Sequence, residues 1–176
     1  AMRKVITLMA LVCIEAGTGL VKTMLGGRDF LQSQFNPATQ SRRQPGSAFK
    51  PVIYSAALDK GFTAASVIID SPIVFKDEEH DFTWKPKNYG KKFYGPTLLR
   101  EALAKSRNVV TIKILQEHGI DYVIDYARNL NIESELSRDL SIALGSSGVS
   151  LLEIVQAYSF IDHHGYLVRP FLLTKI

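Results

Sequence analysis

Arg43-Gln44-Pro45-Gly46-Ser47-Ala48-Phe49-Lys50-Pro51 sets a serine and a lysine three residues apart, with a proline directly after them. Proline is tolerated only in the opening turn of a helix, so a helix here starts close to Ser47. Residues three apart on a helix share a face, which puts the Lys50 amine within reach of the Ser47 hydroxyl. A serine hydroxyl is a weak nucleophile until a base takes its proton, and a desolvated lysine is such a base. At the helix's N-terminal end, free backbone N–H groups and the positive dipole end favour developing negative charge. The spacing alone proves little. With 14 Ser and 12 Lys in 176 residues, about one Ser-x-x-Lys arises by chance.

Working upstream, Val5–Ile14, the turn Glu15-Ala16-Gly17-Thr18-Gly19 and Leu20–Leu25 predict a β-hairpin. The near-continuous apolar first run predicts a strand buried on both faces, with Cys13 inside it as a small hydrophobe. Arg28 to Gly46 is polar and reads as a long loop leading to the serine. Downstream, Val52–Lys60 continues the helix and Gly61 ends it. Asp70-Ser71-Pro72 is a turn, Ile73–Phe75 a short strand, and Lys76–Pro96 a loop. Thr97 is expected to cap a helix through Lys105, with further helices over Val109–Glu117 and Asp121–Asn129. Ser150-Leu151-Leu152-Glu153 is a capping box opening a helix to about His163, and Phe171–Ile176 begins a strand.

The chain is 46% hydrophobic, long enough for one domain (1–176) with a real core. One cysteine excludes an intrachain disulfide. The net charge of +4 is too small to imply nucleic acid. Lys85, Lys87, Lys91 and Lys92, set among Trp84, Tyr89, Phe93 and Tyr94, read as a solvated loop with aromatic anchors. Trp84 and Tyr89 serve equally as cleft border or as packing. Asp77-Glu78-Glu79-His80-Asp81 lacks metal-ligand spacing, so neither a metal nor a cofactor is expected. Val5–Ile14 is too short to span a membrane. A hairpin is marginal alone, so its strands predict membership of a larger sheet. An unpaired hairpin edge also predicts pairing with a second copy as a homodimer.

A second element, Ser106-Arg107-Asn108, lies 59 residues after Ser47. Serine enzymes that recognise penicillin pair Ser-x-x-Lys with Ser-x-Asn and Lys-Thr-Gly. The wording around both elements is specific. Gly26–Phe30, Phe35–Gln40, Arg43–Pro51, Leu99–Asn108 and Ala143–Glu153 together resemble the transpeptidase domain of class A (bifunctional) penicillin-binding proteins. The resemblance covers residues 8–176.

It implies an α/β (α+β) fold of the penicillin-binding protein/β-lactamase-like type, with a hairpin, a mostly helical subdomain and a central sheet lacking its C-terminal strands. It also implies a D,D-transpeptidase that cross-links peptidoglycan stem peptides ending in D-Ala-D-Ala and is the target of β-lactam antibiotics. By carry-over, Ser47 is the nucleophile, Lys50 its general base, Ser106 a proton relay to the leaving group, and Asn108 a hydrogen-bond partner of the acyl-side amide. The Ser47 N–H is half of the oxyanion hole. The expected setting is the extracytoplasmic face of the bacterial inner membrane, with the anchor of the parent protein outside this chain.

The sequence departs from that family in one respect: no Lys-Thr-Gly or Lys-Ser-Gly occurs in its 176 residues. In the family this element binds the substrate carboxylate beside the second oxyanion donor. Loss of one such donor costs about a hundred- to a thousandfold, so the isolated chain is expected to acylate poorly or not at all. Two other readings use the same residues. A serine β-lactamase requires a deacylation base on a Glu-x-x-x-Asn stretch, which is absent. A non-catalytic penicillin-binding sensor would acylate without transfer.

Overall fold

The computed structural model describes residues 9–27, 29–77 and 82–173. The described residues fall into two compact units, one from 1–45, 127–135 and 147–176, the other from 46–126 and 136–146. The mixture of helices and small, unclosed sheets is the expected α/β class.

In the first unit, β1 (Leu11–Ile14) and β2 (Val21–Leu25) pair antiparallel, with Leu11 opposite Leu25 and an irregularity between Cys13 and Ile14. The hairpin is as predicted, but its burial is not. Val12 is buried, whereas Leu11 and Cys13 are exposed. Alternation across a strand sends successive side chains to opposite faces, and only the Val12 face is covered, by a helix. Residues 5–8 of the expected strand lie outside the described residues. Phe171 bridges Leu20 in parallel, with Val21 N–H donating to Phe171 O and Phe171 N–H to Gly19 O; this is an isolated bridge, and residues 174–176 of the expected strand lie outside the described residues.

The covering helix is numbered last in the chain, α5 (Leu151–Asp162), and begins with the predicted capping box. Glu153 does more than cap. Its Oε1 accepts from the N–H groups of Glu133 (3.0 Å) and Ser134 (2.9 Å), and its Oε2 from Ser134 Oγ (2.7 Å), Ser150 N–H (2.7 Å) and Ser150 Oγ (2.8 Å). Burial raises the carboxyl's pKa, but the Ser134 and Ser150 hydrogen bonds outweigh it and hold it below the ordinary value. Glu153→Gln turns one acceptor oxygen into a donor facing these donors, and is expected to cost about 3 kcal/mol in thermal unfolding at pH 7. Because the folded pKa is depressed, the stabilisation is present above the unfolded value near 4.5 and is lost as pH falls below it. The wild-type and Gln transition temperatures therefore converge on acidification.

The second unit is built on α1 (Lys50–Asp59), which opens with Pro51 in its first turn and is preceded by a 3-10 turn over Gly46–Phe49. The serine thus lies in that turn, one step ahead of the α-helix proper. β3 (Val67–Asp70) pairs antiparallel with β6 (Gly95–Leu98), and β4 (Phe75–Asp77) with β5 (Phe82–Trp84). Then follow α2 (Leu99–Ala104), α3 (Asn108–His118) and α4 (Ile120–Asn129), of which residues 127–129 are counted with the first unit. Helices α1 and α3 pack together through Val52, Ile53, Ala56, Val109, Ile112 and Leu115, all fully buried.

Several sequence expectations fail here for identifiable reasons. Ile73–Phe75 is not a strand; pairing begins at Phe75, where the ring stacks on Trp84 across β4 and β5 (5.4 Å between centroids). The expected loop Lys76–Pro96 therefore contains β5, most of β4 and the start of β6. Thr97 does not cap a helix. It sits in β6 opposite Ile68, and its hydroxyl donates to Gly95 O. A threonine before a helical pattern fits both a cap and a strand end, and the β-branched Val67-Ile68-Ile69 partner decides for the strand. Glu78, Glu79, His80 and Asp81 of the acidic run lie outside the described residues.

Candidate functional site

Ser47 is exposed and sits in the 3-10 turn, held from beneath by two glycines. Gly46 (φ 57°) and Gly145 (φ 67°) both have left-handed backbones, and Gly46 N–H donates to Gly145 O at 3.2 Å. A Cβ on Gly145 would lie 2.2 Å from Gly46 O, so no side chain fits there without moving the serine's turn. Ser47 is thereby tied through backbone geometry to a segment a hundred residues further along the chain.

Lys50 is 1% exposed. Its Nζ donates to Ser106 O (2.7 Å), Ser106 Oγ (2.8 Å) and Asn108 Oδ1 (2.7 Å). An ammonium has three N–H donors, and these acceptors match them one for one. All three acceptors are uncharged. Nothing in this set of bonds offsets the desolvation, and burial pulls the lysine pKa down to about 8.

Ser106 owes its position to an unusual helix end. Helix α2 finishes with Ser106 N–H bonded to Leu103 O (2.9 Å) and Arg107 N–H to Ala102 O (2.8 Å). This is a Schellman motif, in which the residue after the cap takes the left-handed conformation. Glycine usually fills that position, yet Ser106 occupies it at φ 52°. The arrangement turns the chain so that both the carbonyl and the hydroxyl of one residue face Lys50. Asn108 follows two residues later as the first residue of α3, and its Nδ2 donates to Lys87 O at 3.1 Å. Between them, the Arg107 guanidinium lies 3.3 Å above the Tyr94 ring.

The structure therefore brings Lys50, Ser106 and Asn108 into direct hydrogen-bonding contact. Ser47 stands three residues before Lys50, outside that set of bonds. Of the two aromatics weighed as cleft borders, Trp84 stacks on Phe75, while Tyr89 is fully exposed. Sequence reasoning did not single out the Gly46–Gly145 contact or the Lys87 carbonyl. Gly145 was visible only as a letter in a longer run, and a backbone carbonyl leaves no sequence signal.

The family model of the penicillin-binding protein transpeptidase domain matches residues 9–176. The chain belongs to the penicillin-binding protein transpeptidase family. It is 48% identical over 168 residues to penicillin-binding protein 1A of Pseudomonas aeruginosa, covering 95% of this chain and 20% of that protein. The chain thus spans about a fifth of the length of the curated relatives it matches. The crystal structure of penicillin-binding protein 1A from Haemophilus influenzae superimposes with a TM-score of 0.85 at 37% identity, over 92% of this chain and 24% of that one. PonA1 from Mycobacterium tuberculosis in complex with penicillin V shares the fold at a TM-score of 0.78 and 24% identity, over 92% of this chain and 45% of that one. Within the transpeptidase family frame, no helix among the described residues is long and apolar enough to cross a membrane.

Proposed function

We propose that this chain is the serine-bearing part of a peptidoglycan D,D-transpeptidase, with Ser47 as nucleophile and Lys50 as its base. The observation that carries the reading is the Lys50 ammonium, buried one turn from an exposed serine and bonded only to neutral acceptors. Such a lysine gives up its proton near neutrality; with a pKa of about 8, roughly a tenth is neutral at pH 7.

The neutral Lys50 amine takes the proton of Ser47 Oγ as that oxygen attacks the carbonyl of the penultimate D-alanine. The Ser47 N–H, at the opening of the turn, donates to the oxyanion. The tetrahedral centre collapses to a serine ester. The proton passes from Lys50 through the Ser106 hydroxyl to the departing D-alanine nitrogen. An amine of a second stem peptide then attacks the ester, Ser47 Oγ recovers a proton, and a new amide cross-links the two stems. A β-lactam enters by the same first step, with its ring amide in place of the D-Ala-D-Ala bond; the ring nitrogen stays tethered. Asn108 Oδ1 is held by Lys50 and one Nδ2 N–H by Lys87 O, which leaves the second Nδ2 N–H to donate to the carbonyl of the acyl-side amide.

With no Lys-Thr-Gly among the 176 residues, the chain alone acylates at least about a hundredfold more slowly than a full-length protein carrying it. The setting we propose for that protein is the extracytoplasmic face of the inner membrane, as its cross-linking chemistry requires. The test gives the full-length protein a D-Ala-D-Ala donor peptide together with a D-amino-acid acceptor. Release of D-alanine with acceptor-dependent product supports transpeptidation. Rapid hydrolysis of penicillin would point instead to a β-lactamase, and acylation without any transfer to a sensor.

A further inference from the structure

Asn88 is 4% exposed and lies in a loop whose neighbours on both sides are open to solvent, Lys87 before it and Tyr89 after. Burying one amide in such a loop is costly unless every polar atom is matched. All of them are. Its Nδ2 donates to both carboxylate oxygens of Asp70 (3.0 and 2.8 Å) and to Lys92 O (2.9 Å), and its Oδ1 accepts from Val109 N–H (3.3 Å). Asp70 is itself only 1% exposed.

These partners come from three separate places: the end of β3, the far side of the loop, and the first turn of α3. Helix α3 has no side-chain cap of its own at Arg107. The first-turn N–H of Val109, which has no partner within the helix, is met by Asn88 instead. Asn108 is the residue before Val109, and Lys87 is the residue before Asn88. A single clamp therefore fixes, one residue away on each side, the carbonyl and the amide that meet in the Asn108 Nδ2 to Lys87 O bond. Together with the Lys50 ammonium, which can only donate, that bond sets which way round the Asn108 amide lies, with its oxygen toward Lys50.

We propose that Asn88, held by the buried Asp70 carboxylate, is a positioning residue that fixes the orientation of the Asn108 side-chain amide toward Lys50. The effect on turnover rests on the transpeptidase reading, but the geometric claim does not.

The test follows the Asn108 side-chain NH2 by NMR in the 176-residue chain, comparing wild type with Asn88→Ala and with Asp70→Asn. Asp70→Asn keeps the shape and supplies the variant that decides if Asn88→Ala does not fold. Lys113→Met is the control. Lys113 Nζ bonds Ile69 O (2.7 Å) and Ser71 Oγ (2.8 Å), so its loss loosens the same strand end without touching Asn88. The expected result is a shifted Asn108 NH2 signal and faster exchange of its protons, by tenfold or more, in the first two variants and not in the control. In the full-length protein the first two lower the acylation rate about ten- to a hundredfold, in line with the cost of a small misplacement in an active site. An Asn108 signal unchanged in a folded Asp70→Asn protein overturns the proposal. A signal that moves equally in Lys113→Met overturns it too, because the effect is then general loosening. Failure of wild type to acylate at all would refute the transpeptidase reading and leave the NMR comparison standing.

Discussion

Replacing Lys50 with methionine is expected to slow acylation of Ser47 by a fluorescent penicillin by about a hundred- to ten-thousandfold, the usual worth of a positioned general base. Methionine keeps the apolar stem, so the packing of α1 is largely preserved. What disappears is the amine, leaving Ser106 O, Ser106 Oγ and Asn108 Oδ1 without their shared donor. Two effects on stability then oppose each other. Orphaned acceptors cost about 1–3 kcal/mol each when fully desolvated, while removing a buried charge recovers several kcal/mol. The melting temperature is therefore expected to change little compared with the rate.

With Lys50 as the proposed base, the same lysine is expected to set the pH dependence. In wild type the acylation rate should rise about tenfold per pH unit and level off above pH 8, where Lys50 has lost its proton. The methionine variant should lack this rise. The linked effect on folding has the opposite sense to that of a salt-bridged lysine. The folded pKa lies below the unfolded value of 10.5, so between pH 8 and 10.5 the unfolded chain binds more protons. Stability due to this group is lowest below pH 8 and rises as pH climbs through that window.

The second large effect is expected at Ser106, and it separates activity from stability. Ser106→Ala and Ser106→Gly both remove the hydroxyl that accepts from Lys50 and that we propose as the proton relay, and both should lower acylation by about a hundredfold or more. They differ in the backbone. Alanine keeps the left-handed strain at φ 52°, and glycine relieves it. The glycine variant should therefore unfold at about 1 kcal/mol higher free energy than the alanine variant, with no recovery of rate. Equal stability of the two would mean that the turn after α2 is unstrained. A glycine variant with wild-type acylation would remove Ser106 from the proton path.

How far these features could be read from the sequence depended on whether they are local. Pro51 in the first helical turn and the Ser150–Glu153 capping box are local patterns, and each is found in the structure where it was expected. The pairing of β3 with β6 was not legible, because Asp70-Ser71-Pro72 reads as a turn and Pro96 argues against a strand. Proline is nonetheless tolerated in a two-stranded ladder, where an edge position needs no N–H. The end of α2 at Lys105 was legible, but the Schellman turn after it was not, since the left-handed position that glycine normally advertises is filled here by Ser106. Cys13 misled for a related reason: an apolar run gives the hydrophobicity of a strand but not which of its faces is covered. Asn88 looked like one more polar residue among lysines, and only its burial distinguishes it.

The pairing of an exposed Ser47 with a buried Lys50 is the central claim, and peptide mapping by mass spectrometry after exposure of the full-length protein to a penicillin tests it most directly. The predicted result is one penicilloyl adduct, on the peptide carrying Ser47, absent from Ser47→Ala and strongly reduced in Lys50→Met. An adduct on Ser106 or any other serine, or one that persists in Ser47→Ala, would contradict the account.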